Sequence, residues 1–488
     1  MDKNIKLLYL MVEPTQSKAI IWSALERFSS QGIAFLISII LARLLDPSCY
    51  GLVAMLNIFL AIGQSIIDSG FTSALIRKKK CTDVDYSTVF IFNLLLSTIL
   101  YILFFFSSTF IASFYNQPEL ETITRFSTFV FIINALAIVQ RAQLSKKMDF
   151  KSQTKASVIA VLVSGIVGIV MAYKGYGVWA LVTQSLLSAF VSTFVLWCIS
   201  LWFPKLNFSW DSFREMSAFG SRLFLTGLIT TIYKNIYTLI IGKFYNSTDL
   251  GYFNRMDHLA AFPSRNFTTI VGRAVYPKQC KYQDDNEKLY RSYLDLLSLS
   301  SFFVFPVMLM LAALSEPLVL SLLGEKWVAA SQYLMLLCFA YMMDHIQFFN
   351  WQMLSVKGRS DLSLYSEIIK KIVSVLILVI TIPFGIKVMI IGLSVYALAD
   401  FLIIIPFVHK VLPSITYWSE IKVLYKSFLN SVLCYAVVKT IIPFFHNCWI
   451  QLIVSGICGI ILYCAMAKML KSWELSYYSN KIINVFKR

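Results

Sequence analysis

Four cations stand inside apolar runs or at their ends: Arg27, Lys234, Arg255 and Arg265. A charged side chain in such a run is costly and normally faces an interior or a wet cavity, where its use is to hold an opposite charge. Arg27 shares a helical face with Ser23, Ser30, Ala34 and Ser38, and Lys234 continues a series of Arg222, Thr226, Thr230 and Thr238 that recurs every four residues. Stripes of small and hydroxyl side chains are also what closely packed helices carry. Packing does not call for cations, so the four together point to a cationic cavity and an anionic ligand. Three acids in apolar runs, Asp68, Asp344 and Asp400, are the candidates for balancing that charge or coupling an ion, with Glu26 and Asp68 as partners for the cations. Asp344 beside His345, with Gln347 on the same helix, equally suits a self-satisfied polar knot.

Covalent chemistry has no comparable support. The four histidines lie far apart, without zinc-ligand spacing, and the nine cysteines are odd in number, scattered, and without a CxxC pair. Asp284 and Asp285 qualify only weakly as an acidic metal motif and read better as the start of an amphipathic helix through Glu287 and Arg291. No phosphate-binding loop occurs. The sequence therefore predicts no catalytic residues, no metal and no cofactor, and any transport is secondary.

The elements that must position these charges are membrane helices. The chain has 488 residues, 58% hydrophobic and only 14% charged, against the roughly 25% charge that a water-facing surface needs. Apolar runs long enough to span predict fourteen transmembrane helices, centred near Ala34, Ile62, Leu96, Ile132, Leu162, Leu186, Ile229, Ala261, Phe303, Leu337, Leu376, Val395, Val432 and Leu452. The run near Ala261 is polar enough to escape hydropathy alone. Most of the 43 Lys and Arg fall in alternate connections, including Arg77 to Lys80, Arg141 to Lys155 and Arg273 to Arg291. The positive-inside rule then makes both termini cytoplasmic. The formal net charge of +17 belongs to this topology and to contact with anionic phospholipids, not to nucleic acid. The first apolar run lacks a following small-residue cleavage site, so the N-terminus is expected to be retained.

The chain also matches itself. Leu41 to Gly51 aligns with Ile241 to Gly251 at an offset of 200, setting Arg43 over Lys243 and Gly51 over Gly251. At an offset of 210, Leu144, Ser145 and Lys147 fall on Leu354, Ser355 and Lys357. The stripe Asn57, Ala61, Gln64, Asp68 maps onto Asp257, Ala261, Ser264, Thr268. Two homologous six-helix lobes follow, residues 1–201 and 217–410, joined by a cytoplasmic amphipathic linker at 202–216 that carries Trp210, Asp211 and Phe213. An even number of spans makes them parallel repeats, which usually have a substrate path between them. Residues 411–488 add two helices without a counterpart and a basic tail.

Particular strings are then informative: ALERFSSQGIAFLISIILARLLDPSCYGLVAM from Ala24 to Met55, DSGFTSALIRKK from Asp68 to Lys79, and VGRAVYPKQCKYQDDNEKLYR from Val271 to Arg291. With the Gly-Glu-Lys-Trp turn at Gly324 to Trp327 and the Gly-Arg-Ser-Asp turn at Gly358 to Asp361, they make the chain resemble the Wzx-type polysaccharide flippases, in the WzxC-like branch of the polysaccharide biosynthesis family. That resemblance implies the multidrug, oligosaccharidyl-lipid and polysaccharide exporter fold, with two six-helix lobes in a V plus two helices. It implies translocation of polyprenyl-pyrophosphate-linked oligosaccharide units across the bacterial cytoplasmic membrane for O-antigen, capsule or exopolysaccharide synthesis, alongside other polysaccharide assembly proteins. Arg27 matches the family's pyrophosphate-holding pattern, and Lys234 and Arg265 match by location. Two alternatives stand beside it. A drug-cation exporter on the same fold would need an acidic cavity, and an enzyme polymerising or ligating lipid-linked glycans would need catalytic residues in a large outer loop.

Overall fold

The computed structural model describes residues 31–478 apart from 69, 201 and 206, and for 218–226 the backbone alone. Every regular element among them is helical, as a chain in hydrocarbon requires, because a helix satisfies its own N–H and C=O groups. The described chain divides into two compact units, Met1–Gly251 and Tyr252–Arg488. The first holds α1 (Gln31–Leu44), α2 (Pro47–Asp68), α3 (Phe71–Arg77), α4 (Asp83–Tyr115), α5 (Glu119–Ser127), α6 (Val130–Leu136) and α7 (Ile138–Lys146). It continues with α8 (Phe150–Tyr173), α9 (Val178–Ser200), α10 (Trp210–Lys234), α11 (Ile236–Phe244) and the first turn of α12 (Ser247–Cys280). The second holds the rest of α12, then α13 (Asn286–Ala313), α14 (Ser315–Leu323), α15 (Ser331–Tyr341), α16 (Asp344–Val356), α17 (Ser360–Thr381), α18 (Ile386–Val411), α19 (Tyr417–Ile441) and α20 (Cys448–Met469).

Among the described residues eight helices are long and apolar enough to cross a membrane, or nine if α5 to α7, bent by 42° after Leu136, form one span. Phe106 and Phe110 on α4, Ile166 on α8 and Ile461 on α20 stand more than half exposed. An apolar surface of this extent belongs in lipid, and the chain is an all-helical, multi-pass membrane protein. The polar α12 is not among the eight, which fits its composition.

In the first unit α8 packs along α9, α4 against α5 and α6, and α10 against α2, α3 and α4. Ile67, Leu75, Val89, Phe131 and Val139 form its core. Polar groups fix the helix ends. Thr82 and Asp85 cap α4 reciprocally, at 3.3 and 2.9 Å, and Asn116 ends it in the left-handed conformation at φ 53°. The stretch after Trp202 lies against the start of α4: the Lys205 and Ser209 amides donate to Ser87 Oγ and Thr88 Oγ1, each at 3.1 Å, and Trp202 meets Tyr86 and Phe90 edge-on. Lys78 bonds Glu215 at 2.9 Å and Asp85 at 3.1 Å. The Glu215 hydrogen bond leads in holding the Lys78 ammonium above its ordinary pKa.

One close approach in this unit explains two glycines. A β-carbon on Gly51 would lie 1.6 Å from the Ser247 carbonyl oxygen, and one on Gly251 would lie 2.0 Å from the Pro47 carbonyl oxygen. The contacts are reciprocal at an offset of 200. The N-terminal turns of α2 and α12 cross where only glycine fits.

In the second unit α13 packs against α19 and α15, α18 against α15, α16 and α17, and α20 against α14 and α19. Asp285 caps α13, accepting from the Lys288 amide at 3.0 Å, the helix-start role expected for it. The two turns that carry most of the family resemblance are held by backbone conformation. Gly324 has φ +92° and Gly358 φ +67°, which side chains rarely adopt. Trp327 is fully buried beyond the first turn, and Arg359 grips Asp361 with two bonds of 2.9 and 2.8 Å beyond the second.

Candidate functional site

In the second unit α12 brings a cation to a break in the chain. Between α15 and α16, Met342 and Met343 interrupt the helix, and Tyr341 and Asp344 flank the interruption. Arg265 meets both: its Nε lies 3.7 Å from Asp344 Oδ2, and its guanidinium carbon stands 4.8 Å from the centre of the Tyr341 ring. The Tyr341 hydroxyl donates to Asp257, eight residues before Arg265 on α12. Arg265 thus sits among two carboxyls and a π face, yet its side chain keeps 59% of its exposure. A guanidinium so placed has donors left for a further anion. His258 occupies the same exposed face seven residues earlier, and Arg255 is half-buried further back on the helix.

The hydroxyl stripe beside Arg265 has a different task. Ala261, Ser264 and Thr268 are buried, and Thr268 returns its proton to the Ser264 carbonyl at 2.7 Å. This is packing surface. The cation stands beside the stripe and not within it.

The residues following Asp344 form a buried polar core. His345 is fully buried and shares a 2.8 Å bond with Ser301 Oγ of α13, and Gln347 donates to the Ala397 carbonyl of α18 at 3.0 Å. Asn350 Nδ2 donates to Glu420 Oε2 at 3.2 Å, while Tyr293 Oη donates to Glu420 Oε1 at 2.8 Å. Asp400 is also engaged: Lys370, buried with it, approaches to 3.3 Å and reaches Glu367 at 2.5 Å.

In the first unit a polar line runs from α6 to α2. Asn134 Nδ2 donates to Gln64 Oε1 at 2.9 Å, and Gln64 Nε2 to Asp68 Oδ1 at 3.4 Å. Asp68 interacts electrostatically with Arg141 of α7, a cation read from sequence as part of a cytoplasmic connection. Lys234 is exposed and makes no ion pair among the described residues. Its four-residue series does not run on: the helix breaks at Asn235 (φ −103°, ψ 4°), so Thr238 falls on α11 and is buried while Lys234 is not. Arg27 and Glu26 lie outside the described residues. Arg125 is held by Glu121 at 2.5 Å and Ser108 at 3.0 Å.

A family model described as polysaccharide biosynthesis protein matches residues 40–332. The teichuronic acid biosynthesis protein TuaB of Bacillus subtilis (strain 168) is 26% identical over 62% of this chain and 63% of its own length. The lipopolysaccharide biosynthesis protein WzxC of Escherichia coli (strain K12) is 25% identical over 72% of this chain and 71% of its own. The chain thus spans somewhat under two thirds of the length of the first and rather more of the second. Among solved structures, the lipid II flippase MurJ in its inward closed conformation superimposes with a TM-score of 0.76 at 16% identity, over 92% of this chain and 98% of that one. At that identity the likeness is one of fold.

Proposed function

This chain belongs to the polysaccharide biosynthesis protein family, and on that premise we propose that it flips polyprenyl-pyrophosphate-linked oligosaccharide units across the bacterial cytoplasmic membrane by alternating access. It is a membrane protein of polysaccharide biosynthesis with a transporter fold, not an enzyme. The observation that carries the reading to a phosphorylated cargo is Arg265: a cation at a helix break, compensated by Asp344 and Tyr341 yet more than half exposed. An anion arriving there finds guanidinium donors still open and competes with Asp344 for the rest, so its hold is strong enough to bind and weak enough to release. Arg27, Lys234, Arg255 and Arg265 are the proposed pyrophosphate contacts, and Asp68, Asp344 and Asp400 the charge-balancing or ion-coupling acids.

The architecture we propose has fourteen spans: two homologous six-helix lobes at 1–201 and 217–410, a linker at 202–216, and two further helices with a basic tail at 411–488. Two features support the repeat. One is the reciprocal Gly51 and Gly251 crossing. The other is looser: Asn134 and Asp344, equivalent at the offset of 210, bond to α2 and α12 respectively, at Gln64 and at Arg265, which lies one residue beyond the Ser264 that aligns with Gln64.

Deleting the gene should abolish the surface polysaccharide and leave lipid-linked units on the cytoplasmic leaflet. Normal polysaccharide with new drug sensitivity would overturn the reading in favour of a drug exporter, and units stranded on the outer leaflet would favour a polymerising or ligating enzyme. The proposed topology has cytoplasmic termini and is read by labelling single cysteines from outside the cell. A cysteine replacing Asn116 should react and one replacing Lys79 should not, and the opposite pattern would invert the topology.

A further inference from the structure

Two apolar helices of the second unit carry a proline in their interior, Pro306 in α13 and Pro406 in α18. Proline has no amide proton, so each leaves the carbonyl four residues earlier without its helical donor. Those carbonyls belong to Phe302 and Leu402. Hydrocarbon offers them no water, and a neighbouring helix has to supply the bond. In both cases the donor is a tyrosine from the two helices that follow residue 410. Tyr463 Oη of α20 donates to the Phe302 carbonyl at 2.9 Å, and Tyr417 Oη, at the start of α19, donates to the Leu402 carbonyl at 2.6 Å. Asn430 Nδ2 of α19 steadies the first by bonding the Tyr463 carbonyl at 3.3 Å, and the Tyr417 ring stands edge-on to Phe401 at 6.1 Å. The long apolar helices α4, α8 and α9 of the first unit contain no proline that would need such a cap.

The two capped helices hold the chain beside the candidate site. Ser301 Oγ, next in sequence to Phe302, bonds His345 at 2.8 Å, and the Ala397 carbonyl, five residues before Leu402, accepts from Gln347 at 3.0 Å. His345 and Gln347 lie in the first turn of α16, which begins with Asp344, the acid that faces Arg265 at 3.7 Å. The turn presenting Asp344 is therefore gripped from both α13 and α18. Each grip lies within about a turn and a half of a carbonyl that proline has freed.

Resting on the reading of Arg265 and Asp344 as part of a transport site, we propose that the two helices after residue 410 are a brace, with Tyr463 and Tyr417 as positioning residues that close the hydrogen-bond gaps at Pro306 and Pro406 and so fix the Asp344 turn. Neither hydroxyl needs to meet the cargo. Without its cap each carbonyl is left unpaired in an apolar setting, which costs more than the net worth of one bond, and the helix relieves that cost by opening locally. The opening reaches Asp344 through Ser301 and His345 on one route and through Ala397 and Gln347 on the other.

The test uses the full-length protein, with surface polysaccharide measured in a complemented deletion strain and amide hydrogen exchange measured in nanodiscs. Tyr463→Phe keeps the ring and removes the donor. It should cut export about 10-fold at equal abundance in the membrane and raise exchange over residues 341–347, while α17 keeps its protection. The decisive measurement is a double-variant cycle. Pro306→Ala returns an amide to the Phe302 carbonyl, so in that background Tyr463→Phe should cost less than about 2-fold. Tyr417→Phe and Pro406→Ala should repeat the pattern, and they carry the test alone should the Pro306→Ala protein not assemble. An equal cost of the tyrosine substitution with and without its proline overturns the brace, as does full export in both tyrosine variants. Lost export with unchanged exchange over 341–347, or with exchange raised throughout the second unit, overturns it as well. Should the wild type itself fail to restore polysaccharide, the flippase reading falls, and the exchange cycle by itself decides the brace.

Discussion

Arg265→Ala is expected to cut polysaccharide export in a deletion strain at least 100-fold while the protein still reaches the membrane. The size follows from what the substitution leaves behind. One charge-assisted contact to the cargo is worth about 1.5 to 3 kcal/mol, and each 1.4 kcal/mol is about tenfold in rate. Asp344 and Asp257 also lose the cation that compensates them, so an approaching pyrophosphate meets net negative charge. The second effect can be separated from the first. Asp344→Asn placed on Arg265→Ala removes a repelling charge without restoring the contact, and should recover roughly tenfold of the loss. Lys234→Ala should also abolish export, but with no paired acid among the described residues to neutralise, no such rescue exists for it. An Arg265→Ala strain with normal surface polysaccharide would reduce Arg265 to a structural partner of Asp344, and a double variant no better than the single would deny Asp344 any competition with the cargo.

How much of this arrangement was legible beforehand depended on the range of the interaction. The spans follow from local composition. The expectation that α12 would escape a hydropathy test was itself readable, because Asp257 and Arg265 lower its apolar character wherever the helix packs. The glycines at 51 and 251 stood out in the internal alignment, but that each makes room for a carbonyl near the other required the backbone crossing. The partner of Arg265 could not be read from spacing, since Asp344 lies beyond three intervening helices. Lys370 and Lys371 look like loop cations in sequence, yet Lys370 is buried against Asp400. Arg141 was hidden for the opposite reason: Ile138 to Lys146 is too polar to look like part of a span, and only the helix that continues past the bend raises it from the loop. The series through Lys234 failed at Asn235, where a four-residue period assumed a continuity that the backbone does not keep.

Flipping in proteoliposomes is expected to follow an imposed membrane potential at equal pH and equal sodium on both sides. A pyrophosphate diester carries about two negative charges, and moving each outward across an inside-negative membrane releases about 2.3 kcal/mol per 100 mV. The resulting 4 to 5 kcal/mol corresponds to an accumulation ratio on the order of 1,000. No coupled ion is then needed, and the task of Arg265 and its fellow cations is to lower the desolvation barrier. The carboxylates of the second unit are consistent with that division of labour. Asp344 is matched by Arg265 and Asp400 by Lys370, so neither stands ready to take up a sodium ion without first losing a cation. Glu420 differs: fully buried, it receives hydrogen bonds from Tyr293 and Asn350 and makes no ion pair among the described residues. Transport that answers only to a proton or sodium gradient and ignores potential would overturn the electrophoretic account. Glu420→Gln would then be the first variant to measure, because a carboxylate held only by neutral donors can gain a proton without breaking an ion pair.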